Sequence, residues 1–173
     1  MPRPSRRPLQ RQLAPDDAAG GVPAAGGLDR GMLPTLVGYA LRRAQVAVFQ
    51  DFAREMSRTR VPITPGEFGI LVLVSRNAGL SQTALARAIG VDRSTLVPIL
   101  DRLERHGLIK RHASLTDRRT HALELGEAGA ALLPVYETAV RRHERRIQRK
   151  LRAGEGRALI ASLDLLLDGT LLA

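Results

Sequence analysis

The stretch from Ser81 to Gly107, SQTALARAIGVDRSTLVPILDRLERHG, narrows what the chain around it can become. Ser81 is a helix N-cap, with Leu85, Ala86 and Ile89 forming a short apolar stripe behind it. Gly90 supplies a tight turn, Asp92 caps a second helix, and Gly107 ends it. Two short helices joined by a glycine turn are a helix-turn-helix candidate. Helical hairpins of this kind also exist with no nucleic-acid role, so the surroundings of the pair decide between the readings.

In the second helix, Leu96, Ile99, Leu100 and Leu103 fall within about 100° of one another and form the face to be buried. Ser94, Pro98, Asp101 and Arg105 lie opposite, flanked by Thr95 and Arg102, with Arg93 in the first turn. Small polar residues permit close approach to a major groove, and arginine reads guanine or phosphate. An ordinary amphipathic surface helix is the other reading of the same pattern. Upstream, Thr64, Pro65 and Glu67 predict a capped helix to about Arg76, with Ile63 and Phe68 as a hydrophobic staple. That helix is apolar nearly all round, so it should be buried.

Downstream, LIKRH and THALEL predict two short strands. In the second, Leu123 and Leu125 face one side, and Thr120, Ala122 and Glu124 the other. Between the strands stand Asp117, Arg118 and Arg119. Such a cluster is usually a solvated turn. Here the order helix, glycine turn, helix, strand, charged tip, strand is that of a winged helix-turn-helix. In that arrangement the tip can place an arginine in the neighbouring minor groove. Asp117 can then orient Arg119, leaving Arg118 to contact phosphate or groove.

The run LSQTALARAIGVDRSTLVPILDRLERHGLIKRHASLTDRRTHALELGEAG resembles the core of the MarR (multiple antibiotic resistance regulator) family. The Asp-x-Arg of Asp117 and Arg119, the LDRLERHGLI stretch and the Gly-containing start of the following helix carry the resemblance, which covers roughly residues 33–170. It implies a mainly α fold with a small β-wing: a winged helix-turn-helix with a helical dimerisation domain. It also implies a homodimer that binds double-stranded DNA as a regulator, expected to be a repressor, at a pseudo-palindromic operator. The expected divisions are a basic disordered tail (1–30), a dimerisation helix (31–60), the winged helix-turn-helix (61–125) and C-terminal dimerisation helices (126–173). The DNA-binding set is expected to comprise Ser81, Gln82, Thr83, Arg93, Ser94, Thr95, Pro98, Arg102, Asp117, Arg118 and Arg119. Two positions depart from the family pattern. Pro98 sits inside the second helix and should bend it, and Gly126 stands where a Thr cap is common, so the next helix should fray at its start.

An apolar stripe of Val37, Ala40, Leu41, Ala44, Val48, Phe52 and Met56 predicts a helix about 24 residues long from Leu33. That length suits packing against more than its own domain. The segment VGYALRRAQVAVFQDFA is similar to family members that govern aromatic-acid breakdown, some of which sense acyl-CoA thioesters. By that similarity Tyr39, Arg42, Arg43, Gln45, Val46, Phe49 and Phe68 are candidates to line an effector pocket for an aromatic acid or its CoA thioester. Plain core and dimer packing is the competing account of each. Two further helices are predicted, from Glu127 to about Leu151 and from about Glu155 to Leu167. The first ends in RRHERRIQRK, residues 141–150, where Arg141, Arg145 and Arg149 make one stripe and Arg142, Arg146 and Lys150 another. A solvated face is the usual basis for such a run; an anion site is the alternative.

The net charge of +10 favours a polyanionic partner. With 44% apolar residues the chain can build a real core, and with no cysteine it has no disulfide, thiolate metal site or thiol redox sensor. No cofactor or metal is expected: His106, His112, His121 and His143 are scattered, and no phosphate-binding glycine loop is present. An enzyme is not expected. No apolar run reaches the roughly 18 residues of a membrane span, so no membrane partner and a cytoplasmic location are expected. A non-specific architectural DNA binder without an effector is the alternative, since the basic tail would suffice for that.

Overall fold

The computed structural model describes residues 28–113 and 121–167. The expected disordered tail and the wing residues Asp117, Arg118 and Arg119 fall outside these limits, apart from the last three residues of the tail. The chain divides into two units between Leu36 and Val37. In the first, Leu33–Thr35 make a single 3-10 turn with Pro34 at its second position.

The second unit holds, among the described residues, six α-helices and three short strands. The order is α1 (Val37–Met56), α2 (Pro65–Arg76), β1 (Leu80–Ser81), α3 (Gln82–Ile89), α4 (Arg93–Arg105), β2 (Ile109–Ala113), β3 (His121–Leu125), α5 (Glu127–Gln148) and α6 (Glu155–Leu167). The expected 24-residue first helix is shorter, 20 residues, because Leu36 is extended at φ −89° and ψ 123°. No helix among the described residues is long and apolar enough to cross a membrane.

Local chemistry sets the helix starts. Thr64 Oγ1 accepts the Glu67 N–H while Glu67 Oε2 accepts the Thr64 N–H, so the capping box of α2 is complete. Ser81 Oγ caps α3, and Gly90 ends it at φ 69°, a left-handed setting that glycine adopts without strain. Pro98 lies in the interior of α4, which continues through it as one helix. The loss is one backbone bond, that of Ser94 O, at an exposed position.

The sheet has the order β1-β3-β2, antiparallel throughout. Leu80 pairs with Leu123, Arg111 with Leu123 on the other edge, and Ile109 with Leu125. The sequence predicts two strands; the third is the Leu80–Ser81 pair, where Ser81 serves both as strand end and as the cap of α3. Leu123 points into the core and Glu124 out, as the alternation requires.

The core runs through Ile70, Leu71 and Val74 of α2, Leu85 of α3, Leu96, Leu100 and Leu103 of α4, Ile109, Leu123, and Leu133, Tyr136 and Ala139 of α5. Of the α1 stripe, only Phe52 and Met56 are buried and Val48 half-buried; Val37, Ala40, Leu41 and Ala44 are exposed. Gly126 is not a defective cap. A Cβ there would collide with the Gly107 carbonyl, and one at Gly129 with the Leu108 carbonyl. Without side chains, the start of α5 approaches the β2 entry closely enough for Gly126 N to donate to Leu108 O at 3.0 Å and Gly129 N to Gly107 O at 3.3 Å.

Candidate nucleic-acid interface

Asp92 organises the start of α4. Its Oδ1 accepts the Thr95 N–H at 2.7 Å and the Ser94 hydroxyl at 2.5 Å, and its Oδ2 accepts the Thr95 hydroxyl at 3.1 Å. The Ser94 hydroxyl, then the Thr95 amide, hold this carboxyl below its ordinary pKa. Ser94 and Thr95 are exposed, and their hydroxyl protons are committed to Asp92. What they offer outward is oxygen lone pairs, which can only accept hydrogen bonds.

Arg93, Ser94, Thr95 and Pro98 are all exposed on α4, with Ser94 and Pro98 opposite the buried Leu96, Leu100 and Leu103, Thr95 on the flank and Arg93 in the first turn. Thr83 of α3 is exposed, while Ser81 and Gln82 are half-buried at its start. The structure thus gathers these seven expected residues onto the two helices of one motif. Arg102 is placed differently. Its Nη1 donates to Glu67 Oε1 and its Nη2 to Pro62 O at 2.8 Å, so its guanidinium is engaged within the fold. Asp117, Arg118 and Arg119 lie outside the described residues.

Sequence reasoning missed Arg111. It pins the sheet to α4: its side chain meets Asp101 at 2.6 Å and Glu104 at 3.5 Å, and its backbone N–H donates to Glu104 Oε1 at 3.2 Å. Glu67 was seen only as a cap. Neither role has a local signature, since the partners are seven to 35 positions away.

The effector candidates on α1 form two local pairs. Arg42 Nη1 donates to Gln45 Oε1 at 3.1 Å, and the Arg43 guanidinium carbon lies 5.8 Å from the centre of the Tyr39 ring. Val46 and Phe49 are exposed, and Phe68 is half-buried against the core.

The arginine run of α5 splits in two. Arg142 Nε meets Glu55 at 2.7 Å, Arg146 meets Asp51 and Glu55 at 2.9 Å each, and His143 Nδ1 lies 2.7 Å from Asp51 Oδ2. Arg142 and Arg146 of that stripe are thus tied to the α1 carboxylates, while Lys150 is exposed and makes no ion pair among the described residues. Arg141 pairs with Glu137 at 2.8 Å, while Arg145 and Arg149 are exposed and make no ion pair among the described residues. The same residues contain no group of three metal-ligating side chains.

The MarR family model matches residues 63–121. A Thauera aromatica protein named for transcriptional regulation of the hcr operon is 40% identical over 136 residues, covering 79% of this chain and 81% of its own. The transcriptional repressor CouR bound to a 23-mer DNA duplex is 38% identical, with a TM-score of 0.76, covering 82% of this chain and 99% of its own. CouR bound to p-coumaroyl-CoA is 36% identical, with a TM-score of 0.75 and the same coverage. On its fold, on the family match and on these relatives, the chain belongs to the MarR family of DNA-binding winged-helix transcriptional regulators.

Proposed function

We propose that the protein is a repressor that binds a pseudo-palindromic operator as a homodimer and leaves it when an aromatic acid or its CoA thioester binds. The observation that carries the DNA half is the exposed face of α4. Arg93 and the acceptor oxygens of Ser94 and Thr95 stand on a helix whose back is locked into the core. Ser81, Gln82 and Thr83 at the start of α3 are assigned to the neighbouring phosphates, where helix N–H groups favour anions. Asp117, Arg118 and Arg119 are assigned to the wing tip. Arg102 is assigned a supporting place rather than a groove contact.

Pairing of two copies is supported by the apolar residues left exposed, among the described residues, on α1 (Val37, Leu41, Phe49) and α6 (Leu159, Ile160, Leu165). A two-fold dimer reads two equivalent half-sites. A cytoplasmic location follows from this role.

The effector half rests on the likeness to CouR, whose structure holds p-coumaroyl-CoA. Tyr39, Val46, Phe49 and Phe68 would take an aromatic acyl group and Arg42, Arg43 and Gln45 its polar end. The effector must prefer one dimer conformation, or it cannot change DNA affinity. Electrophoretic shift of the protein's own upstream region, with aromatic acids and their CoA esters added singly, tests this. Release by one compound class is expected; retention of the complex with every compound contradicts the effector assignment. Uniform binding to any duplex would instead favour the architectural reading.

A further inference from the structure

Two helices and a cap converge on the connection between α1 and α2. Tyr136 of α5 is fully buried, and its hydroxyl donates to Val61 O at 2.8 Å. Arg102 of α4 donates to Pro62 O at 2.8 Å and to Glu67 Oε1. Glu67 is buried, and its second oxygen accepts the Thr64 N–H at 2.8 Å. One carboxylate therefore both closes the capping box of α2 and holds α4. Glu67 and Tyr136 are buried, so losing a partner of either is costly, while the Arg102 bond to Pro62 is exposed and weaker.

Arg102 lies on the same flank of α4 as Thr95, between the buried leucines and the exposed Ser94 and Pro98. A tether on the flank adds to the packing of the leucines and to the Arg111 contacts with Asp101 and Glu104 in fixing the rotation of α4 about its axis. Rotation of α4 would turn Ser94 and Thr95 away from a base edge. Base contacts depend on such angles; phosphate attraction does not.

We infer that Arg102, Glu67 and Tyr136 are positioning residues for operator recognition, fixing α4 against the Val61–Glu67 segment, and that none of them touches DNA. The inference rests on the operator reading above. It opposes simple electrostatics at one position. Glu67→Gln removes a negative charge from a DNA-binding domain, which by charge alone should tighten binding. If Glu67 positions α4, the same change must weaken specific binding.

The test uses the full chain and a site recovered by selection from a random duplex library, with an unrelated duplex as the non-specific probe. Affinities are measured across a salt series, and thermal melts verify that each variant is folded. Arg102→Gln and Glu67→Gln should each lower affinity for the selected site about tenfold, as expected for loss of a charge-assisted bond. Non-specific affinity and the salt slope should stay as in the parent. The double variant should be no worse than either single one, because the pair acts as a unit. Tyr136→Phe, which removes one hydrogen bond and no charge, should shift affinity in the same direction by less.

An Arg102→Gln variant that weakens both duplexes and lowers the salt slope by about one would make Arg102 a phosphate contact and overturn the inference. So would a Glu67→Gln variant that binds the selected site as tightly as the parent or more so. If Glu67→Gln does not fold, the Arg102→Gln salt slope and Tyr136→Phe decide. Recovery of no site at all would fail the operator reading itself, and the inference with it.

Discussion

Glu55 of α1 and Arg142 of α5 meet at 2.7 Å, 87 positions apart, with the Glu55 side chain only 2% exposed. Arg146 closes on the same carboxylate and on Asp51 one turn earlier. Two carboxylates on one helix face are thus matched by two arginines and a histidine on another. A carboxylate this buried is tolerable only with such partners.

Arg146→Met should therefore destabilise the protein by about 2 kcal/mol, because it removes bonds to both Asp51 and Glu55. Arg145→Met, one position away and exposed, should change stability by less than about 0.5 kcal/mol. Urea unfolding of both variants checks this, and equal losses would return the whole run to a generic charged face.

The same network gives a pH dependence. The Asp51 carboxyl is held below its ordinary pKa by His143 and then Arg146, and that of Glu55 by Arg142 against an opposing effect of burial. A group depressed in the folded state stabilises at neutral pH, and that stabilisation is lost as pH falls through its folded pKa. The stability gap between the parent and an Asp51→Asn/Glu55→Gln variant should thus be full at pH 7 and close in acid, at and below the ordinary carboxylate range. Chemical unfolding at a series of pH values measures it; a gap that stays constant into strong acid would contradict the pairing.

Gly126→Ala and Gly129→Ala should each cost at least about 2 kcal/mol, since the new methyl meets backbone carbonyls that cannot yield without moving β2 from α5. Gly69→Ala within α2 meets nothing within 4 Å and should be neutral or stabilising by up to about 1 kcal/mol. Thermal melts of the three variants check the contrast.

The sequence made α2, α3 and α4 legible because their caps are local, and α6 legible from its apolar pattern alone. Thr64 and Glu67, Ser81, Asp92 and Gly90 act within a few residues of where they stand. The two faces of β3 were legible from the alternation of Leu123, Glu124 and Leu125, which is equally local. What was not legible depends on distant partners. The Leu80–Ser81 strand exists only because Leu123 and Ala122 lie beside it. Gly126 reads as a poor cap until the Gly107 carbonyl is placed against it. The bonds of Arg102 to Glu67 and Pro62, 35 and 40 positions away, likewise have no local sign.

On the wing, Arg119→Ala should weaken operator binding strongly and Asp117→Ala nearly as much, with the double variant less than additive if Asp117 orients the guanidinium. Fluorescence anisotropy titration with a labelled operator duplex measures all three. Parent-like affinity in folded Arg119→Ala would make that segment an ordinary solvated turn.

Footprinting at about 150 mM salt, a concentration at which phosphate attraction alone is weak, tests the central claim most directly. Specific recognition by a two-fold dimer predicts protection of one discrete site upstream of a regulated gene, with two inverted half-sites about 10 bp apart centre to centre. Uniform, salt-sensitive protection with no preferred site would contradict it.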